Sequence, residues 1–287
     1  MSQAAKLVDQ VEFWNGDAGR RWAENQERLD RAFAPLTTPL LQRAAVQPGY
    51  SVLEVGCGAG AVSLALARQA GASGRVLALD LSRPMLERAR ARDEAESGRD
   101  RAPIEWRDAD AGTFPFAPAS VDVIVSRFGV MFFSDPVAAF GNLRRALRPG
   151  GRLVMMSWRA LAENAWVAVP RAALLTILPP PPPMPQDAPG PFAFADAARV
   201  GAILARAGFA EIRSAAADSA IGVSADIEEQ TQFLTQLSPA SALLREADET
   251  ARPGAIDAVR AALRERAEWR GPELGTACWL FAAQNPS

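Results

Sequence analysis

The chain has 287 residues, 49% of them hydrophobic, and its 31 basic and 33 acidic residues leave a formal net charge of −2. This length and apolar content predict one large α/β domain, or one domain with an insertion. Because no basic stripe with interleaved aromatic residues is present, we expect no nucleic-acid binding. The chain contains no histidine, which excludes a Ser-His-Asp triad, an imidazole base and a histidine-ligated metal.

The two cysteines, Cys57 and Cys278, are too few for a disulfide framework and wrongly spaced for a zinc site, so we expect no metal. A basic start followed by an apolar run is absent, and so is any apolar stretch of the ~18 residues that a membrane span requires. These absences predict a cytoplasmic protein with no signal peptide and no integral membrane segment.

The apolar spacing of residues 5–46 predicts helices, which Pro35 and Pro39 break into pieces. The next segment alternates between short apolar strands and helices, separated by turns. This alternation is typical of a parallel sheet with right-handed crossover helices. The predicted strands are 51–55, 75–79, 104–107, 121–126 and 152–157, and the predicted helices are 61–69, 84–92 and 136–147.

After Trp158 the regular alternation of strands and helices stops. We interpret the segments around 160–190 and 225–270 as a helical cover on the sheet. The proline-rich segment 179–185 is either a stiff spacer between cover helices or a recognition segment in the polyproline II form. In order, the pattern predicts a helix over 160–178, a helix over 194–207, a strand over 210–221, a mostly helical stretch over 225–270 and a last strand over 276–283.

A glycine-rich turn follows the first predicted strand, in the sequence Val52-Leu-Glu-Val-Gly-Cys-Gly-Ala-Gly60. Glycines let the backbone approach a bound ligand closely, and the next helix then points its free N–H groups at that ligand. The turn alone is a weak signal, because dinucleotide-binding folds share it. Asp80 ends the second strand 20 residues beyond Gly60, where its carboxylate could accept hydrogen bonds from both ribose hydroxyls of an adenosine, including that of NAD.

Two further motifs are the segment Asp108-Ala-Asp-Ala-Gly-Thr-Phe-Pro-Phe116 and the Leu-Arg-Pro-Gly-Gly turn at 147–151. Together with the Glu-x-Gly-x-Gly-x-Gly turn and the acidic end of the second strand, they resemble class I S-adenosylmethionine-dependent methyltransferases over residues 45–158. The most similar branch acts on small molecules and includes the ubiquinone and menaquinone methyltransferases. The resemblance implies a Rossmann-like, seven-stranded, mostly parallel sheet flanked by helices, with a helical cover over the active site.

The resemblance also implies a division of the chain into three regions. Residues 1–46 would form an N-terminal helical cover, residues 47–158 the core that binds S-adenosylmethionine, and residues 159–287 the substrate-cover helices with the last strands of the sheet. The implied cofactor is S-adenosylmethionine, and the implied partner is a small-molecule methyl acceptor.

Carried over residue by residue, the resemblance assigns the methionyl half of the cofactor to Glu54 and the glycine turn, and the ribose to Asp80. Asp110 would accept a hydrogen bond from the adenine amino group, because it lies five residues before Pro115 as in the family; Asp108 stays an alternative. The implied cofactor-binding set is Glu54, Gly56, Cys57, Gly58, Gly60, Asp80, Leu81, Met85, Asp110, Ala111, Ser126, Arg127 and Phe128.

Aromatic and apolar residues near the predicted site could line a pocket for the acceptor. Some lie in the N-terminal segment, which in related enzymes folds over the cofactor, and others follow the fourth and fifth strands. Packing in the core explains the same residues equally well, so both interpretations stay open. The candidate set is Trp14, Trp22, Arg28, Met131, Phe132 and Trp158.

The predicted reaction is an in-line transfer of the sulfonium methyl group, favoured by positioning and by exclusion of water. Without a histidine base or a metal, the sequence favours acceptors that need little deprotonation: amines, thiols, carboxylates or an activated carbon. It identifies no catalytic residue. A non-catalytic S-adenosylmethionine-binding regulatory or scaffold protein is an alternative, and an NAD-dependent oxidoreductase is a third, which Glu54 disfavours because a carboxylate would repel a pyrophosphate.

Overall fold

The computed structural model describes residues 9–96, 100–183, 185, 188–221, 224–270 and 273–286. Its strands are β1 (Ser51–Val55), β2 (Arg75–Asp80), β3 (Ile104–Asp108), β4 (Val121–Arg127), β5 (Leu147–Trp158), β6 (Ala210–Ala216), β7 (Ser219–Ile221), β8 (Leu274–Thr276) and β9 (Cys278–Gln284). Its α-helices are α1 (Gln10–Asn15), α2 (Asp17–Glu24), α3 (Gln26–Ala44), α4 (Ala61–Ala70), α5 (Arg83–Ala95), α6 (Pro136–Ala146), α7 (Ala165–Leu174), α8 (Ala197–Arg206), α9 (Ile227–Leu237), α10 (Ser241–Glu246) and α11 (Arg252–Arg270).

The main sheet has seven strands in the order β3-β2-β1-β4-β5-β9-β6. The strands from β3 to β5 in this order run parallel, whereas β9 is antiparallel to both β5 and β6. The predicted Rossmann-like, mostly parallel sheet is therefore confirmed. Because the chain builds outward from β1 to β3 and then returns to place β4 on the other side of β1, a crevice opens between the carboxyl ends of β1 and β4.

The central strands are buried on both faces. All of β1 is buried, and Val123, Ile124 and Val125 of β4 have no exposed surface. Parallel sheets require such cover, which helices provide: α3 packs on β4 and β5, and α4 packs on β1 and β2. The packed core therefore holds the carboxyl ends of β1, β2 and β4 in fixed positions, and the candidate site begins there.

The prediction that two prolines break the N-terminal helices is wrong. Helix α3 runs unbroken through Pro35 and Pro39, and the chain is interrupted earlier, at Gly16 and Asn25. An interior proline costs about 3 kcal/mol in an isolated helix, but α3 offsets this cost by burying a continuous apolar face in the core. Its buried apolar residues are Leu29, Ala32, Phe33, Leu36, Leu40 and Ala44.

Three of the later predictions are right in type but wrong in continuity, whereas α8 lies within the predicted helix 194–207 and α9, α10 and α11 lie within the predicted helical stretch 225–270. The predicted helix over 160–178 is a short 3₁₀ turn at Leu161–Glu163 followed by α7. The predicted strand over 210–221 is two strands, because Asp218 turns the chain away from the main sheet: its carboxylate accepts a hydrogen bond from Arg159 Nη1 at 3.0 Å and one from the Cys278 amide at 3.3 Å. Strand β7 pairs instead with β8 in a separate two-stranded antiparallel sheet.

The predicted last strand is likewise interrupted. Ala277 lies between β8 and β9, and its amide donates to Asn164 Oδ1 at 2.9 Å instead of to a neighbouring strand. The described part of the proline-rich segment, residues 179–183 and 185, is neither helix nor strand; Met184 lies outside the described residues. None of the described helices is long and apolar enough to cross a membrane.

Candidate functional site

The glycine turn between β1 and α4 lies against the loop that follows β4. Gly56, Gly58 and Gly60 have φ angles of 71°, 53° and 84°, in the left-handed region that favours glycine. A Cβ atom on Gly56 would lie 2.6 Å from the Cα atom of Gly129, so the two backbones touch without side chains between them. The turn therefore forms one wall of the crevice between β1 and β4.

Asp80 joins this turn to the end of β2. Its Oδ2 atom accepts a hydrogen bond from the Gly58 amide at 2.7 Å, and its Oδ1 atom accepts one from the Ser82 amide at 2.8 Å. Burial raises the pKa of Asp80, and the amide hydrogen bonds oppose this rise. Each carboxylate oxygen has two lone pairs, so both oxygens can accept a further hydrogen bond from a ligand.

Glu54 lies beneath the turn rather than on its surface. Its side chain is 1% exposed, and its carboxyl accepts a hydrogen bond from the Ser63 hydroxyl on α4. Burial raises the pKa of Glu54 to about 8, so the carboxyl is mostly protonated at neutral pH. Cys57 is also buried, and burial raises the pKa of its thiol well above the ordinary range, which argues against a nucleophilic role.

The two aspartates after β3 differ in their partners. Asp108 forms an ion pair with Arg83, with 2.7 Å between Oδ2 and Nε. Asp110 is exposed, and its Oδ1 atom accepts a hydrogen bond from the Gly112 amide at 2.8 Å, a local turn that leaves its other oxygen available. Ala111, which follows it, is buried.

The apolar candidates on the Asp80 side lie close to the turn. Met85 is buried, and its terminal Cε atom lies 3.0 Å from where a Cβ on Gly58 would stand. Leu81 is partly buried, and its carbonyl accepts a hydrogen bond from the Asn15 amide group at 2.8 Å. Met85 therefore places an apolar side chain beside the turn, and the Leu81 carbonyl joins this region to the N-terminal helices.

At the end of β4, Ser126 and Phe128 have clear structural roles. The buried Ser126 hydroxyl donates to the Val55 carbonyl at 2.8 Å and so ties β4 to β1 at the crevice. Phe128 has a φ of 67°, rare for an aromatic residue, and its ring stacks on Trp158 at 3.9 Å between centroids. Such strain, about 1–3 kcal/mol, persists where the surroundings enforce it, and it clusters at ligand sites.

Four of the six predicted pocket residues lie in one aromatic cluster, which we define as Trp14, Trp22, Phe33, Phe128, Phe132, Trp158 and Trp166. Its ring centroids are 3.9–6.4 Å from their neighbours. Met131 is buried in the core beside it. Arg28 lies elsewhere: its Nη2 atom donates to the Glu229 carbonyl at 2.9 Å, and its guanidinium stacks over Phe233.

The contacts that dock the N-terminal helices on the core were not predicted. The Asn15 side chain donates to the Leu81 carbonyl at 2.8 Å and accepts from the Arg83 amide at 3.0 Å, and the Ser82 hydroxyl donates to the Trp14 carbonyl at 2.7 Å. Ser82 thus uses its hydroxyl on the N-terminal segment and not as a side-chain cap of α5. Nothing in the local pattern around Asn15 signals a partner so distant in the chain.

A second unpredicted link joins α3 to the glycine turn. The Arg92 guanidinium on α5 donates to the Ala59 carbonyl in the turn, and it also pairs with Asp30 on α3 at 2.7 Å. The turn is therefore held from both the sheet side and the cover side.

Replacing Gly56 with alanine is expected to destabilise the fold by about 2 kcal/mol or more, since the left-handed conformation alone costs ~1–2 kcal/mol and the contact with Gly129 adds to it. Gly201 on α8 is the matched control, because a Cβ there meets nothing within 4 Å; Gly201→Ala should leave stability equal or slightly higher. Urea unfolding of the three proteins measures the difference. Equal midpoints for wild type and Gly56→Ala would contradict the described turn.

Residues 53–155 match a family model described as a methyltransferase domain. A ubiquinone/menaquinone biosynthesis C-methyltransferase of Ruegeria sp. (strain TM1040) is 36% identical over 120 residues, which are 42% of this chain and 47% of that protein. Nocamycin O-methyltransferase of Saccharothrix syringae is 35% identical over 121 residues, 42% of each chain. An uncharacterized protein of Mycobacterium tuberculosis (strain ATCC 25618 / H37Rv) is 37% identical over 139 residues, so the chain spans about half the length of the curated relatives it matches.

Two solved structures share the fold. Phosphoethanolamine N-methyltransferase 2 of Haemonchus contortus, in complex with S-adenosyl-L-methionine, superposes with a TM-score of 0.59 at 17% identity, covering 98% of this chain and 61% of that one. The [4+2]-cyclase SpnF superposes with a TM-score of 0.50 at 19% identity, covering 88% of this chain and 80% of that one. Because both identities are low, these likenesses establish the fold alone.

Proposed function

We propose that this protein is a class I, S-adenosylmethionine-dependent methyltransferase that transfers a methyl group to a small molecule, because residues 53–155 match a methyltransferase-domain family and a C-methyltransferase is 36% identical over 120 residues. The observation that carries the proposal is the Asp80 carboxylate beside a glycine turn with three left-handed residues. A carboxylate at this position suits the two ribose hydroxyls of an adenosine. NAD would use the same residue, so the match of residues 53–155 to a methyltransferase-domain family is what favours S-adenosylmethionine.

The residues around the crevice fit this cofactor. Asp80 would hold the ribose, because each of its oxygens accepts one backbone amide and keeps a lone pair for a hydroxyl. Leu81 and Met85 would pack against the adenine, and Asp110 would accept from its amino group with the Ala111 amide nearby. The glycines let the turn pack closely on its neighbours, because a Cβ at Gly56, Gly58 or Gly60 would meet Gly129, Met85 or Trp106.

The methionyl half would lie between the turn and the end of β4, at Ser126 and Phe128, whereas the side chain of Arg127 extends to Thr37 and Phe33 of α3. Glu54 would lie beneath the turn as a buried carboxyl, and its surroundings would determine whether it is ionised. When bound, S-adenosylmethionine supplies an electrophilic methyl group on a sulfonium sulfur. The chain's own residues bind and orient the reactants, and the N-terminal helices, docked through Asn15 and Ser82, exclude water.

The test is a calorimetric titration of the protein with S-adenosylmethionine, S-adenosylhomocysteine and NAD, followed by transfer from methyl-labelled cofactor across a panel of amines, thiols, carboxylates and enolates. Binding of the first two and labelling of a panel member are the expected results. Binding without transfer to any acceptor would favour a regulatory or scaffold role. Binding of NAD alone would reject the proposal in favour of an oxidoreductase.

Asp110→Ala is expected to weaken binding of S-adenosylhomocysteine about fivefold, the loss of one hydrogen bond worth ~1 kcal/mol to the adenine amino group. Asp108→Ala is the matched control, because Asp108 is occupied by Arg83, and it should change the dissociation constant less than about twofold. Calorimetry on both variants measures the effect. The reverse order would assign the adenine contact to Asp108.

A further inference from the structure

The guanidinium of Arg127 is a cation without an anion beside it. It extends from the end of β4 to the N-terminal cover, where Nη1 donates to the Thr37 hydroxyl and the Cζ atom lies 5.6 Å from the centroid of the Phe33 ring. Among the residues that the structure describes, no carboxylate lies within ion-pair distance of it. Burial lowers the pKa of Arg127, which is the direction expected when a cation loses water without gaining a partner.

The two acidic residues that influence Arg127 are already occupied. Asp30 is paired with Arg92 at 2.7 Å. Glu54 accepts the hydroxyl of Ser63, and since burial raises its pKa to about 8, it carries little charge at neutral pH. A partly buried charge whose neighbours do not compensate it is unfavourable in the free protein, so its retention calls for an external anion.

One donor in the aromatic cluster has no hydrogen-bond partner among the described residues. Trp166 is 2% exposed, and no acceptor for its Nε1 atom is found in the described part of the chain. Its ring lies 5.0 Å from Trp158 and 6.1 Å from Phe33, the ring over which Arg127 lies. Buried indole N–H groups usually have an acceptor. The cluster therefore has apolar surface but lacks an oxygen atom that could accept the hydrogen bond of Trp166.

We propose that Arg127 binds an anionic oxygen of the methyl acceptor, which is therefore an apolar, ring-bearing molecule with a carboxylate, phenolate or enolate group. This inference rests on the proposed function. Aromatic side chains supply the surface for a ring, and the planar guanidinium is suited to a carboxylate or a related oxyanion. The contacts of Arg127 are with Thr37 and Phe33 of α3, which places the guanidinium toward the cover and away from the ribose side.

An anionic acceptor also agrees with a chain that has no histidine. The electron pair of the anion forms the new bond to the methyl carbon as the carbon–sulfur bond breaks. The pair from that bond stays on sulfur, which becomes a neutral thioether. No proton has to be removed, so the reaction requires no general base.

The experiment measures binding of two matched pairs, benzoate with benzamide and 2-naphthoate with 2-naphthamide, by calorimetry with and without S-adenosylhomocysteine. Wild type should bind at least one carboxylate about tenfold more tightly than its amide, the preference expected for a charge-assisted hydrogen bond. Arg127→Gln should abolish that preference and change the affinity for S-adenosylhomocysteine less than about threefold. Arg127→Lys, which keeps the charge, should retain part of the preference.

Three results would overturn the inference. The first is that wild type shows no preference for the carboxylate in either pair, and the second is that Arg127→Gln keeps that preference. The third is that Arg127→Gln weakens the binding of S-adenosylhomocysteine more than it weakens the binding of the carboxylate. The last result would mean that the cofactor's own carboxylate is the partner. The melting temperature of unliganded Arg127→Gln should not fall below that of wild type. If this variant fails to fold, the test is the carboxylate preference of Arg127→Lys, which should be a part of the wild-type preference. Absence of S-adenosylhomocysteine binding with the carboxylate preference intact would reject the proposed function and not the anion site.

Discussion

Replacing Asp80 with asparagine is expected to weaken binding of S-adenosylmethionine about a hundredfold, a loss of ~2.7 kcal/mol. The carboxylate would accept two ribose hydroxyls, and hydrogen bonds to a charged group are worth about 1.5–3 kcal/mol each. Asparagine keeps one oxygen but replaces the other with an NH₂ group, which cannot accept the amide of Gly58 or Ser82. The variant therefore loses ligand contacts and also loosens the turn.

Calorimetric titration of Asp80→Asn with S-adenosylmethionine measures this loss. Asp108→Asn is the matched control, because Asp108 is opposite Asp80 in the β2–β3 register yet carries its charge into an exposed pair with Arg83. Its affinity for the cofactor should stay within about twofold of wild type. If both variants bind equally well, Asp80 is not the ribose contact and the central claim of the proposed function fails.

Glu54→Gln is expected to stabilise the unliganded protein at alkaline pH and to leave it nearly unchanged at pH 5. The folded pKa is raised from 4.5 to about 8 by burial, so between these values the unfolded chain has released a proton that the folded chain still holds. Stability from this group is therefore fully present below pH 4.5 and is lost as pH rises to 8, by about 1.4 kcal/mol per pH unit. Glutamine does not ionise and can still accept the Ser63 hydroxyl, so it avoids a loss on the order of 4 kcal/mol.

Urea unfolding of wild type and Glu54→Gln at pH 5, 7 and 9, without cofactor, tests this dependence. The difference in unfolding free energy should grow with pH in favour of the variant. Glu105→Gln on β3 is the control, since the exposed Glu105 pairs with Arg107 at the surface, and it should give a small difference at every pH. Parallel pH curves for wild type and Glu54→Gln would show that Glu54 is ionised in the fold.

The parallel half of the sheet could be predicted because its signals are local. Short, largely apolar strands, glycine turns and helix starts all lie within a few residues of one another, and Ser51–Val55 and Ala61–Ala70 form as the pattern predicts. The exceptions depend on distant partners. Pro35 and Pro39 remain inside α3 because the core buries the face of that helix, and no local pattern reports how much tertiary contact will offset a helix breaker.

The candidate site likewise has one part that local patterns predict and another that depends on distant partners. Asp80 and the glycine turn could be found from spacing, because one short loop determines where they lie. The docking contacts of Asn15 and the isolated cation of Arg127 could not be found, since both depend on which groups the fold brings together across long chain separations. Residue type alone suggests Arg28 for the pocket, and its hydrogen bond to the Glu229 carbonyl on α9 shows that a partly buried arginine has other partners available.

The position of β9 has a consequence for biosynthesis. This strand is the last that the structure describes, yet it inserts between β5 and β6 and is the neighbour of β6 among the described strands of the main sheet. Domains fold from the N-terminus as the ribosome releases them, so a nascent chain that lacks β9 has β5 as an open apolar edge and β6 without a neighbour. Such edges invite pairing with other chains, so we expect the nascent chain to be most prone to that pairing in the period before β9 emerges.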